Sequence, residues 1–410
     1  MKRFLLLLGA CCCLNAHAQL KTDARQVLFA TYPEDTIPHR IPALSVTAQG
    51  QLLAVTDYRY CKRDIGFGRV DLHGRISNDN GKTWEPMFPI IEGTGVHNAV
   101  DCGFGDAAVV ADWETGELLL ACVSGEHVYF AETTNRSNPQ PCAMMRSKDG
   151  GRTWTPFVNQ AEQIYSLFDS SALGPIQAMF VGSGRICQSH TIKVGSHYRL
   201  YAAICARPGG NRVIYSDDFG DTWHSLGNVD ISPAPDGDEP KCEELPDGNV
   251  LLSSRANGGR IFNIFTYTDR TSAQGTWATS VHSDASNNGT VAKENACNGE
   301  ILILPVTRKA DGKKMHVALQ SVPLGPDRRN VGIYYKGLEN AAAYASPETF
   351  AANWEGHVQI SDMSSAYSTM VMQPDKRIGV FFEELTYGAG YSMVYDAYTM
   401  EQLTEGKFQY

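Results

Sequence analysis

The chain has 410 residues, 45 acidic against 35 basic side chains and a formal net charge of −10. With 43% hydrophobic and 20% charged residues it has the balance of a folded globular protein, not a disordered one. The acidic excess argues against nucleic acid as a partner, because a phosphate backbone calls for a clustered basic face; an anionic ligand would have to be gathered by a few local arginines.

The first residues read as a leader. Met1-Lys2-Arg3 is a basic start, Phe4 to Leu14 an apolar run, and Ala16-His17-Ala18 a small-residue cleavage site. Residues 1–18 are therefore expected to be a signal peptide removed before Gln19, giving an exported protein, periplasmic or secreted. Leu8-Gly9-Ala10-Cys11 offers the alternative of a lipid-attachment box and a membrane-anchored lipoprotein. No later stretch reaches 18 uninterrupted apolar residues, so no transmembrane segment is expected. Of the 11 cysteines, Cys11, Cys12 and Cys13 fall in the leader, and the eight that remain form no C-x-x-C pair. Neither a metal site nor a required disulfide is predicted. No Pro/Ser/Gly-rich linker divides residues 19–410, which read as one domain and are expected to act as a monomer.

Along those residues a polar turn is followed six times by a short apolar run. The runs start at Leu52, Leu118, Leu200, Val250, Ile301 and Ile378, separated by 66, 82, 50, 51 and 77 residues. Turn residues before β-favouring runs are hairpin signals. The 392 residues after position 18, divided by six, give about 65 per unit, room for four short strands and their loops. The predicted fold is all-β, a six-bladed β-propeller. Residues 339–354, with Ala341-Ala342-Ala343, hold the one predicted short helix or loop excursion.

A sharper repeat is superimposed. The pattern S-x-D-x-G-x-T-W occurs at Ser77–Trp84, Ser147–Trp154 and Ser216–Trp223, at intervals of 70 and 69, with a degraded copy around Asp269 and Trp277. Asp oxygens accept turn N–H groups, Gly takes positive φ and Trp packs on the blade. These boxes lack the alternating oxygen ligands and distal Glu of a calcium loop, so they argue for fold and not for chemistry.

Chemistry is expected where strands end, from residues far apart in sequence that a propeller would bring to one central channel. In chain order these are Arg40, Asp57-Tyr58-Arg59, Asp64, Glu239, Arg255, the Arg328-Arg329 pair, Tyr367 and Glu383-Glu384. Taken singly, an arginine is usually in a surface ion pair and a tyrosine usually half-buried packing. Several arginines in one channel would be costly unless they met an anion, and a planar carboxylate fits guanidinium forks.

The His39-Arg40-Ile41-Pro42-Ala43-Leu44 segment, the three Asp boxes and the order Glu, Arg, Arg, Tyr resemble the bacterial exo-α-sialidases over essentially all of residues 19–410. The resemblance implies that Arg40, Arg255 and Arg328 hold the carboxylate of a sialic acid, with Arg329 a rival for the third place. It implies that Tyr367 is the nucleophile, Glu239 the carboxylate that activates it and Asp64 the acid/base, with Asp71 the fallback because the loop before Asp64 is one residue short. Arg59 and Asp106 resemble further substrate contacts, and Glu383 a glutamate that orients the first arginine. Pro240-Lys241-Cys242 after Glu239 departs from the family pattern. The expected activity is retaining hydrolysis of terminal α-linked sialic acids on sialylated glycans or glycoproteins, with no cofactor. Two alternatives stay open: chemistry or transfer on a related acidic sugar, and a propeller that binds sialic acid without cleaving it.

Overall fold

A computed structural model describes residues 19–35, 37–294 and 297–410; the predicted signal peptide and Cys11 to Cys13 lie outside them. Six sheets, each of four or five strands and antiparallel except where Gly184–Arg185 pairs parallel with Phe104–Ala111, follow one another along the chain as the blades of a propeller. The blades span 39–91, 104–159, 178–225, 240–283, 301–359 and 365–398. The ring is closed by the chain start: strand Gln26–Phe29 pairs antiparallel with Ser392–Tyr398 as the outer strand of the sixth blade.

The continuous apolar runs follow from a blade being buried on both faces. Leu118 and Leu120 pack toward the first blade, whereas Leu119 and Ala121 pack toward the third. Val250 and Leu252 likewise face the third blade and Leu251 the fifth. Each junction between neighbouring blades thus has its own apolar cluster, fed by alternate residues of two sheets.

The repeat is more regular than the sequence spacing suggests. In the fifth blade the run Ile301–Arg308 is the innermost strand, and the second strand is Lys314–Pro323. Second strands of the last three blades therefore start at 250, 314 and 378, two steps of 64. Residues 339–354 hold two short helical turns, Ala341–Tyr344 and Pro347–Ala351.

All three Asp boxes have the same internal wiring. In the first, the Gly81 N–H donates to Ser77 Oγ at 2.9 Å, and the Thr83 N–H and hydroxyl donate to Asp79 at 2.9 and 2.6 Å. The Asp149 and Asp218 boxes repeat these bonds within about 0.2 Å. A Cβ on Gly81 would collide with the Tyr395 ring of the sixth blade. Each box follows the third strand of its blade, which runs parallel to the innermost strand; the boxes therefore sit at the end of the ring opposite Arg40. Among the described residues no helix is long and apolar enough to cross a membrane, and none of the eight described cysteines is in a disulfide.

Candidate active site

Three innermost strands break register at the same end of the ring. The ladder slips between Arg40 and Pro42 in the first blade, between Gly105 and Ala108 in the second, and between Ser365 and Ser368 in the sixth. Bulges of this kind bend a strand and re-aim its side chains. Ile41 and Asp106 sit in them with φ of 57° and 56°; for a β-branched isoleucine this left-handed backbone costs about 1–3 kcal/mol. The amides freed from the ladders are taken up by buried carboxylates. Glu383 accepts the Ile41 N–H at 2.8 Å and the Tyr367 N–H at 3.3 Å, and Asp57 accepts the Asp106 N–H at 3.0 Å.

The same carboxylates hold the arginines. Glu383 receives Arg40 Nε at 2.7 Å and Nη2 at 3.3 Å. Arg40 and Arg328 lie over the Tyr367 ring, at 5.7 and 5.5 Å from its centre. Tyr367 Oη donates to Glu239 Oε1 at 2.6 Å, and Arg255 Nη1 reaches both Glu239 Oε2 at 3.0 Å and Tyr367 Oη at 3.2 Å. Burial first, and then the Glu239 charge, push the Tyr367 phenol well above its ordinary pKa, while Arg255 and Arg328 pull the other way. The resting phenol is therefore neutral, with Glu239 as the acceptor of its proton. Arg328 lines the cleft and, among the described residues, has no carboxylate at ion-pair distance, whereas Arg329 is exposed and outside the cleft. The atypical Pro240-Lys241-Cys242 segment is the start of the fourth blade's innermost strand, with Lys241 turned into the channel toward Glu300 at 3.6 Å.

Across the cleft one guanidinium faces three carboxylates. Arg59 donates to Asp57 at 2.9 Å, to Asp64 at 3.0 Å and to Asp106 at 3.4 Å. Asp64 is the exposed member, with 65% of its side chain open to solvent, and its Oδ1 also accepts the Ile65 N–H at 3.0 Å. Asp71 stands apart: fully buried, it accepts Arg69 and the Gly93 N–H and does not line the cleft. Asp57 stands among the strand-end residues of the sequence, but the family resemblance gives it no role. Its strand-end position was visible, but its bond to Asp106 on the next blade has no local signal.

Burial raises Asp106 well above the usual carboxyl range, with the Asp57 charge adding to it, and burial lifts Asp57 to about 6 against the pull of Arg59. One positive charge cannot neutralise both, and the shared proton sits on Asp106, the more weakly held by Arg59. A raised carboxyl favours the fold only while protonated: its contribution is complete below the unfolded pKa of about 3.9 and is lost as pH rises through the folded value. Asp106→Asn is therefore expected to gain stability relative to wild type above pH 4, seen as a Tm difference that widens from pH 4 to pH 8. A flat difference would place the proton elsewhere.

These groups line a cleft of about 290 Å³, whose remaining wall includes Val123, Val128, Tyr129, Phe130 and Phe180. The sequence reading did not include this wall; Tyr129 and Phe130 lie on the long connection after Leu118–Ser124, outside any repeat. Among the described residues no group of three or more His, Cys, Asp or Glu is placed to hold a metal ion.

A family model for the BNR/Asp-box repeat matches residues 75–86, the first box. A sialidase of Micromonospora viridifaciens is 31% identical over 227 residues, covering 53% of this chain and 32% of that protein. A sialidase of Paraclostridium sordellii is 28% identical over 304 residues, covering 72% and 70%. The relatives are sialidases. The chain spans about a third of the first sialidase and over two thirds of the second. Among solved structures, the intramolecular trans-sialidase from Ruminococcus gnavus in complex with oseltamivir carboxylate superposes with a TM-score of 0.66 at 16% identity, covering 92% of this chain and 98% of that one. At that identity the likeness to a sialidase-type structure concerns the fold.

Proposed function

We propose that residues 19–410 form an exo-α-sialidase that removes terminal α-linked sialic acids from glycans or glycoproteins, with retention of configuration through a tyrosyl-sugar intermediate. The observation that carries this reading is Tyr367 Oη, 2.6 Å from Glu239 Oε1, beneath a half-buried Arg328 with no counterion among the described residues. The sugar carboxylate would take Arg40, Arg255 and Arg328, each charged hydrogen bond contributing about 1.5–3 kcal/mol. Tyr367 then attacks the anomeric carbon as its proton passes to Glu239, while Asp64 protonates the leaving oxygen and the glycosidic bond breaks. In the second half Asp64 takes a proton from water, the resulting hydroxide attacks the anomeric carbon, and the tyrosyl oxygen leaves and regains its proton from Glu239. Two displacements at one carbon retain its configuration. Arg59 and Asp106 are proposed substrate contacts, Arg59 also steering Asp64, and Glu383 orients Arg40.

The test is release of fluorophore from an aryl α-sialoside by the purified protein, with the sugar product identified. Free sialic acid supports hydrolysis; an anhydro or transferred sugar moves the reading to a transferase, and bound but uncleaved sialic acid to a lectin-like propeller. Asp64→Ala is expected to lose about 10²–10⁴-fold in kcat/KM on a natural sialyl-lactose, where the leaving group needs the proton, and much less on the aryl sialoside. Equal losses on both substrates would remove Asp64 from the acid role.

A further inference from the structure

Behind Glu239 lies a second guanidinium that no substrate can reach. Arg260 is fully buried and stands directly across the ladder from Arg255, Arg255↔Arg260 being a register pair of the fourth blade. Like charges opposite each other are unfavourable. Among the described residues Arg260 has no carboxylate at ion-pair distance, and its side chain donates to neutral oxygens. Nε donates to Ser253 Oγ at 3.0 Å, Nη2 to Ser253 O at 2.9 Å and Nη1 to Cys297 O at 3.3 Å. A buried cation set among neutral acceptors is costly for stability alone, which directs attention to what the last bond does. The Cys297 carbonyl and the Asn298 N–H belong to one peptide group, and that N–H donates to Glu239 Oε2 at 3.1 Å.

We propose that Arg260 is a positioning residue of the reaction, which polarises the Cys297–Asn298 peptide and through it stabilises the carboxylate form of Glu239 and its aim at Tyr367. The inference rests on the sialidase reading above. A guanidinium on the carbonyl draws density from the amide and strengthens the N–H donor at its other end. The need for it arises on binding. Arg255 is the direct cation on Glu239, but it is also expected to serve the sugar carboxylate, so Glu239 would share it with a second anion. Arg260 remains as a cation the substrate does not claim. The coupling runs both ways: burial pulls the Arg260 guanidinium down to about 9, and Glu239 is the foremost anion opposing that fall, so Arg260 stays charged at neutral pH.

The groups facing Glu239 are Tyr367 from the sixth blade, Arg255 and Asp238 from its own blade, Asp106 from the second, Cys205 from the third and Cys297 from the connection to the fifth. Removing the Arg260 charge leaves Asp238 acting against the Glu239 anion, with Arg255 as the cation bonded to it. Arg260→Gln is therefore expected to move the acidic limb of the kcat/KM profile up by about one pH unit, with KM at neutral pH within about twofold of wild type. Arg260→Lys keeps the charge but has one nitrogen where the fork used three, so it is expected to shift the limb by about half as much, and it carries the test if the Gln variant does not fold. A merely structural role predicts lower activity at every pH with the limb unmoved; an unmoved limb in the folded variants overturns the proposal. The carboxyl carbon-13 resonance of Glu239, assigned by its loss in Glu239→Gln, reads the same shift without turnover. A protein that cleaves no sialoside yet shows that shift sinks the sialidase reading and leaves the role of Arg260 standing; an unmoved resonance sinks the latter.

Discussion

Tyr367→Phe is expected to fold, to bind sialic acid within a few-fold of wild type, and to turn over an aryl sialoside at least about a thousandfold more slowly. The variant removes one oxygen and nothing else that packs: the ring under Arg40 and Arg328 stays, and Glu239 keeps Arg255 at 3.0 Å and the Asn298 N–H at 3.1 Å. The stability change should be on the order of 1 kcal/mol, the net worth of a hydrogen bond. The alternative nucleophile in reach is Glu239 itself. An anionic carboxylate approaching a carbon that bears another carboxylate meets about 4 kcal/mol of repulsion at 4 Å and an effective dielectric constant of 20, roughly a thousandfold in rate. A neutral phenol avoids that term and transfers its proton to Glu239 as it attacks. Steady-state kinetics beside calorimetric binding of sialic acid decides the matter. Activity within tenfold of wild type would hand the attack to Glu239 or to water.

What could be seen in the sequence depended on how local the interactions are. The Asp boxes were legible because Ser77, Asp79, Gly81 and Thr83 complete their bonding within one turn. The six blades were legible because strands buried on both faces read as unbroken apolar runs. The phase slipped only in the fifth blade. Most innermost strands carry polar residues, as in His39–Val46, Cys187–Val194 and Pro240–Glu244, but Ile301–Arg308 is apolar and so reads like the five other repeated runs, which are second strands. At the site, strand-end position and the family resemblance picked out Arg40, Glu239, Arg255 and Tyr367, which the fold does bring together. The bulges were invisible because isoleucine in a left-handed conformation runs against its own propensity. The role of Asp57 and the presence of Arg260 were not legible because their meaning lies in contacts with residues 49 and 37 positions away.

The other large effect expected is at Glu383. This fully buried carboxylate ties together Arg40, the bulged Ile41 amide and the bulged Tyr367 amide, so one side chain holds two of the three register breaks and the arginine nearest the first. Glu383→Ala leaves Arg40 without its counterion and two buried amides without an acceptor. Breaking a buried pair from one side costs about 3–5 kcal/mol, and each orphaned amide adds to the loss. For a ring of this size, with an unfolding entropy of roughly 0.8 kcal/mol per kelvin, the broken ion pair alone is a fall in Tm of about 4–6 °C, and the two amides deepen it. Because the strain at Ile41 is held by the same carboxylate, the first blade is expected to relax toward a regular ladder and Arg40 to swing from the Tyr367 ring. KM for a sialoside should then rise together with the loss of kcat, unlike in Tyr367→Phe, where kcat alone collapses. Glu383→Gln separates the two functions. It keeps an oxygen for one amide but no charge for Arg40, so its Tm should recover part of the loss while KM stays high. A Gln variant that restores KM to wild type would show that geometry, and not the ion pair, is what Arg40 needs from Glu383.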